Sequence, residues 1–472
     1  MNTQITEKIK SDKILSEIAS NFDYEIYLVG GAVRDFIMGK ETFDRDLIVI
    51  DEDAKIFAQK LAAHFEAVLV PLDEINKIYR VVLPDKVNII DVTNPIEDSL
   101  HKDLMRRDLT INAIAVNIKT CEIEDMCGGI TDIQNKCINY INEHNFEDDP
   151  LRLLRVYRFQ SVLGFDLTPE TIHAVCKYVK LIHKPAVERI AHELILLFGG
   201  KYADKALLNM NKTWLLEEIF PVVNELKQVP PNSHHHLDLF HHSVETVRQV
   251  QLLYENAPDT VKAHMEAVDF GSASRLAHLK LAAFLHDIGK FSTWTIEEGT
   301  GRHRFIKHDD IGAKLSVPLL KKMSFSNKQI DYVSSMIRNH IYPSQVMSAP
   351  EINDKIMMRF VRKMEENSAD VILLAQADRL SAQGEAITKD VVEKNINLLN
   401  RLLDFYLNVK DSLEPLPVLL DGNDVMRILN IKPSKQLGEI MNALHEAQMS
   451  GDVATKEQAE VFIFNLFKQR TS

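Results

Sequence analysis

Apolar and polar positions along this chain follow two different rhythms, and the change falls near residue 149. From Tyr24 to about Ile141, short runs rich in Val, Ile and Leu (EIYLVGG, DLIVID, KIYRVVL, NIIDVT and AIAVNI) are bounded by Gly, Asp or Pro. Such runs read as strands of a partly buried sheet. Helical stretches such as DAKIFAQKLAAHF alternate with them, and residues 1–20 read as one polar-rich helix. From Asp149 onward almost everything is helical. LRLLRVYRFQSVLGF opens that region, with Pro150 in the first turn, where its missing N–H costs nothing. A linker-like QVPPNS follows at 228–233, then a histidine-rich helical segment, and a last helical segment from about Leu416. The pattern predicts an α+β protein. A small mixed-sheet head (1–148) precedes an extended all-α body, divided into 149–230, 231–385 and 386–472.

Composition adds bounds. A chain of 472 residues has length for about three domains and a sizeable core. The N-terminus lacks an apolar core of signal-peptide length, and no run approaches the ~18 apolar residues of a membrane span. Cys121, Cys127, Cys137 and Cys176 form no CxxC pair, so a reduced cytoplasmic protein without structural zinc or a membrane partner is expected. The net charge of −13 argues against a polycation that coats nucleic acid. That charge is localised, however. Residues 21–150 hold 13 basic against 26 acidic groups, whereas 151–230 hold 11 against 8.

Two constellations carry candidate chemistry. In the head, YLVGG runs into AVRDFIMG. A strand, a glycine pair (Gly30, Gly31) and a helix form a phosphate-cradling arrangement, to which Arg34 adds a bidentate contact. Ten residues on, FDRDLIVID places Asp44 and Asp46 at i and i+2 of a strand. They share one face, about 7 Å apart at Cα, a spacing that suits a shared pair of hard cations. Asp91 in NIIDVT is a candidate third carboxylate. In the body, His242, His286-Asp287, His308, His340 and Asp378 form a series of imidazoles and carboxylates on successive helices, suited to transition ions or a mixed site. Gly289 is expected as the residue that ends the His286 helix. His234, His235, His236 and His241 flank this series as supporting or solvated side chains, with Asp238 available to them.

The head blocks resemble the bacterial class II tRNA nucleotidyltransferase and poly(A) polymerase family. VGGAVRDFIMG with DRD, DLMRRDLTINAIAV, EDMCGGITDI and EDDPLRLLRVYRF fall in the family's order and spacing, and the C-terminal segment from LLDGNDVMRILNI is similar to its body. The resemblance implies a palm-like nucleotidyltransferase head that uses Mg2+ to add C, C and A from CTP and ATP to the 3′ end of tRNA. It assigns nucleotide contacts to Gly30, Gly31, Arg34, Asp35, Arg106 and Arg107. Asp108 becomes an orienting acid, and Asn112 holds the loop. Asp149 and Arg152 become the pair that reads the base, an acceptor and a multi-donor at i and i+3. Arg155 and Arg158 extend the stripe towards the triphosphate. Asp148 stands where the family has Glu. The histidine series and HDIGK resemble the HD phosphohydrolase superfamily, which implies a divalent metal and phosphodiesterase or phosphatase action. The interval 94–105 is short where many CCA-adding members carry a flexible loop, as in members that add only CC. Partial addition (CC-only or A-only) and poly(A) synthesis are therefore alternatives. A more distant one is an HD hydrolase whose head only binds RNA.

Overall fold

Each of those apolar runs forms a strand in the computed structural model, which describes residues 2–231, 236–271, 273–384 and 387–471. His234 and His235 lie outside the described residues. The strands are β1 (Ile26–Val29), β2 (Asp44–Val49), β3 (Val68–Asp73), β4 (Ile78–Val82), β5 (Ile89–Thr93), β6 (Ala115–Asn117) and β7 (Ile123–Glu124). They pair in the order β3-β4-β5-β2-β1-β6-β7. The sheet is mixed: β2 and β5 run parallel, with Asp46 opposite Asp91, and the other pairs are antiparallel. Leu47, Val49, Ile90 and Val92 pack with Phe57 and Leu61 of helix Ala54–His64 to form the head core.

Strand alternation sends Arg45 to the face opposite Asp44 and Asp46. There Arg45 is buried and donates through Nε and Nη2 to Asp12 Oδ2, at 3.0 and 2.7 Å, and through Nη1 to Asn88 Oδ1 at 2.9 Å. Asp12 also corrects the expectation of one N-terminal helix. Its other oxygen accepts from the backbone N–H groups of Ile14 and Leu15, so it caps a second helix and the segment breaks into Asn2–Ser11 and Lys13–Asn21.

The chain forms two compact units, Met1–Pro221 and Val222–Ser472. In the first, helix Arg152–Leu163 packs against Val187–Gly199 and Ala203–Lys212. The second is helical among its described residues apart from a hairpin, Trp294–Ile296 with His303–Phe305. That hairpin is a departure from the all-helical expectation. Gly289 is another. Its φ is −77°, so it is no left-handed helix stop. It is needed because a Cβ there would lie 2.1 Å from the His308 carbonyl oxygen, so only glycine lets the two histidine-bearing segments touch. Arg275, fully buried, donates to Asp370, Asp269 and Asn367 and ties helix Arg275–Leu285 to helix Ser368–Ser381. The C-terminal helices Gly422–Leu429, Lys435–Met449 and Lys456–Thr471 enclose a small core of their own around Val425, Ile440 and Ile463.

Breaking a buried ion pair leaves an uncompensated charge and costs about 3–5 kcal/mol, whereas replacing both partners by apolar residues is far milder. Arg45→Met should therefore lower stability by that order in chemical denaturation, and Asp12→Leu combined with Arg45→Met should recover most of the loss.

Candidate functional site

In the head, a parallel register does what sequence distance hides. Asp46 and Asp91 face each other across β2 and β5, and with Asp44 they place carboxylate oxygens within 4.8 Å of one another. Three like charges so close need opposing charge. Arg80 supplies it to Asp91 in a bidentate pair of 2.8 and 2.7 Å. Burial pushes the Asp46 carboxyl up to about 6, with Asp44 and Asp91 adding to the rise and Arg107 opposing it. Asp44 is raised too, by desolvation and by Asp91. An all-oxygen cluster with surplus negative charge fits a hard divalent cation such as Mg2+.

Beside this cluster lies a cavity of about 740 Å³. Gly30, Gly31, Arg34, Asp46, Arg106, Arg107, Asp108, Asn112, Asp149, Arg152, Arg155 and Arg158 all line it. Gly30 adopts φ +72°, a left-handed conformation that favours glycine, and sits against the Arg107 guanidinium. Arg34 donates to Asn112 Oδ1 at 2.7 Å and, through Nε, to Asp35. Asp35 is absent from the cavity lining. Asp108 is a buried hub. It accepts from the Leu109 N–H, from Asn112 Nδ2 at 3.0 Å and from Arg155 Nε at 2.7 Å. Burial alone would raise its carboxyl, but the Arg155 charge and these donors hold it below the usual carboxylate range. The glycine turn at Gly128-Gly129 braces the same block, since a Cβ on Gly129 would strike the Thr110 carbonyl oxygen at 2.2 Å.

Several residues of the site are not among those assigned by the sequence motifs. Asp103, buried, holds Arg106 on one oxygen and Arg107 on the other. Its i, i+3, i+4 spacing could have revealed it. Helix Val187–Gly199 contributes Arg189, which donates to Asp149 Oδ2 at 2.8 Å, and Glu193, which pairs with Arg155 and Arg158. The arginine stripe is thus anchored by acids. It also surrounds the Phe159 ring, with the guanidinium carbons of Arg34, Arg155 and Arg158 at 5.1, 5.4 and 3.9 Å from its centroid. Arg152 donates to the Asn145 carbonyl at 3.0 Å, and Asn145 holds the carbonyls of Met105 and Arg107. Arg152 and the Arg106–Arg107 pair therefore share one brace.

In the second unit all six sequence-picked residues converge as two sets that share Asp287: His242, His286, Asp287 and Asp378, and Asp287, His308 and His340. Asp287 Oδ2 lies 3.5 and 3.2 Å from the Nε2 atoms of His242 and His286, and Oδ1 lies 3.4 and 3.8 Å from those of His308 and His340. His286, His308 and His340 each use Nδ1 to contact a backbone carbonyl three residues earlier, which leaves Nε2 facing the centre. Burial alone would lower His286, but Asp287 and Asp378 lift it to about 10. His340 falls to about 4 through burial and the neighbouring His286 charge. Mixed N and O donors grouped in two sets around one shared carboxylate fit divalent ions. Lys290 Nζ, 2.5 Å from Asp287 Oδ2, adds a fixed charge beside them.

Among the described residues no helix is long and apolar enough to cross a membrane. Residues 26–139 match the family described as the Poly A polymerase head domain, 164–227 the probable RNA and SrmB-binding site of polymerase A, and 239–383 the HD domain. The chain is 29% identical to a CC-adding tRNA nucleotidyltransferase of Thermus thermophilus, over 93% of each chain. Its fold is shared with the Bacillus stearothermophilus CCA-adding enzyme solved in complex with CTP, at a TM-score of 0.61 and 20% identity, with 100% of this chain and 99% of that one covered. It is also 31% identical to the A-adding tRNA nucleotidyltransferase of Deinococcus radiodurans, over 92% of this chain and 94% of that protein. Identity sustained over that length establishes that the chain belongs to the tRNA nucleotidyltransferase family.

Proposed function

We propose that the head adds C, C and A from CTP and ATP to the 3′ end of tRNA, with Asp44 and Asp46 holding Mg2+. The observation that carries this reading is the juxtaposition of the Asp44, Asp46 and Asp91 cluster with an arginine-lined cavity containing Asp149 and Arg152. Bound at the cluster, Mg2+ would lower the pKa of the attacking hydroxyl and offset charge on the leaving pyrophosphate. The terminal ribose oxygen attacks the α-phosphorus in line, its proton leaves, and the bond to pyrophosphate breaks. Gly30 and Gly31 admit the triphosphate close to the backbone, while Arg106 and Arg107, held by Asp103, meet its charge or the ribose. Arg155 and Arg158 continue that track. Asp149 accepts from the exocyclic amine that cytosine and adenine both carry, and Arg152 donates to the adjoining ring nitrogen. Residues 1–148 would thus supply the chemistry, 149–230 nucleotide choice, 231–385 the HD reaction and 386–472 a hold on the tRNA arm, in the cytoplasm, where tRNA resides.

Partial addition is the second reading. The interval 94–105 folds as a 3-10 turn, Ile96–Asp98, and one short helix, Leu100–Met105, leaving little chain to reset the pocket between C and A. A CC-adding and an A-adding protein stand among the similar relatives. The HD cluster is read as a metal-dependent phosphohydrolase acting on phosphate ends.

Purified protein given tRNA ending at the discriminator base should extend it by two nucleotides with CTP alone and by three with CTP and ATP. Arrest at two with both present selects the CC-only reading. Extension only of tRNA ending in CC selects A-only addition. Asp44→Asn and Asp46→Asn should each reduce addition by at least about a hundredfold while tRNA affinity stays within a few-fold. Unchanged addition in either variant removes the assignment. Elemental analysis should find two divalent ions in the HD unit. Asp287→Asn should lose both, whereas His340→Ala should keep one.

A further inference from the structure

Trp214 stands in a place where the backbone argues against it. It joins helix Ala203–Lys212 to helix Leu215–Ile219 with φ +65° and ψ +1°, a left-handed conformation that bulky side chains adopt at a cost and glycine adopts freely. The conformation is imposed by its surroundings. Thr213 is buried, with its hydroxyl 2.6 Å from Tyr157 Oη and 3.1 Å from the Met210 carbonyl, and the Trp214 carbonyl accepts from the Glu218 N–H to start the next helix. Despite this enforced turn, Trp214 is 62% exposed. A strained position that carries a large exposed aromatic side chain is a marker of function.

Its neighbourhood is selective. The helix that follows it, Leu215–Ile219, packs on the turn Val179–His183, and its Glu218 gathers Lys180 at 2.5 Å and His183 at 2.7 Å, both of them largely exposed. Residues 151–230 are also the segment in which basic groups outnumber acidic ones. An exposed aromatic residue at the start of a helix that gathers two exposed cations is an arrangement that can stack a nucleobase and hold its phosphate.

We propose that Trp214 is a stacking platform for one nucleobase of the RNA substrate, with Lys180 and His183 released from Glu218 to its phosphate. Tyr157 and Thr213 tie this platform to helix Arg152–Leu163, whose Arg152, Arg155 and Arg158 line the nucleotide cavity. The platform thereby keeps a fixed span to the site of addition. This proposal rests on the RNA substrate named above.

The chain has only two tryptophans, so Trp294→Phe leaves Trp214 as the sole indole emitter. Titrating that full-length variant with a tRNA transcript lacking CCA should quench its fluorescence. Trp214→Gly relieves the left-handed strain, so its melting temperature should be unchanged or higher, while its Kd for the transcript rises roughly five- to a hundredfold, the range for loss of one stacked base. Trp214→Phe should retain most of the affinity. Absence of quenching, or a Kd for Trp214→Gly within twofold of wild type while wild type extends the transcript, overturns the platform alone. Wild type that neither binds nor extends the transcript overturns the platform together with the tRNA reading.

Discussion

The head depends on electrostatic repulsion held in check. Parallel pairing of β2 with β5 forces Asp91 alongside Asp46, and strand alternation sets Asp44 on the same face. Such a cluster persists only because cations are built around it. Arg80 pairs with Asp91, Arg107 opposes Asp46, and Arg45 pins the strand from its other face through Asp12. These three arginines sit on different elements, so the site is a product of the whole head. What surplus negative charge remains is the charge a divalent ion would satisfy.

The arginines that line the cavity follow the same rule. Arg155 and Arg158 lean on Glu193, Arg106 and Arg107 share Asp103, and Arg34 rests on Asp35 and Asn112. Each guanidinium is positioned on its protein side, so little rotamer entropy remains to be lost on contact with an anion. The second unit shows the complementary arrangement. There a single buried carboxylate, Asp287, is shared between two sets of imidazoles, and the approach that makes this possible is a glycine contact between Gly289 and the His308 backbone.

Much of this was legible in the chain. The strands β1, β2, β4, β5 and β6 follow the apolar runs, because a run of β-branched residues between turn formers has few other ways to bury itself. The two metal-type clusters were also legible, since a carboxylate pair at i, i+2 or a His-Asp dipeptide carries its geometry locally. The failures are equally physical. Residues 1–20 carry one helical pattern, and propensity does not register Asp12 as a cap within it. Gly289 looked like a helix stop because its true constraint, contact with residue 308, is remote in sequence.

Local rules thus determined which residues could do chemistry: the strand period put Asp44 and Asp46 on one face, whereas Asp149 and Arg152, three apart in sequence, share no helix face, because Asp149 is extended (φ −138°) ahead of the helix that begins at Arg152. Tertiary structure alone decided what restrains them. That Asp91 is clasped by Arg80, that Asp149 is held by Arg189, and that Glu193 underlies Arg155 and Arg158 are consequences of strand register and helix packing. A pattern along the chain specifies the direction of a side chain, but its electrostatic partner is set by whichever distant segment the core brings beside it.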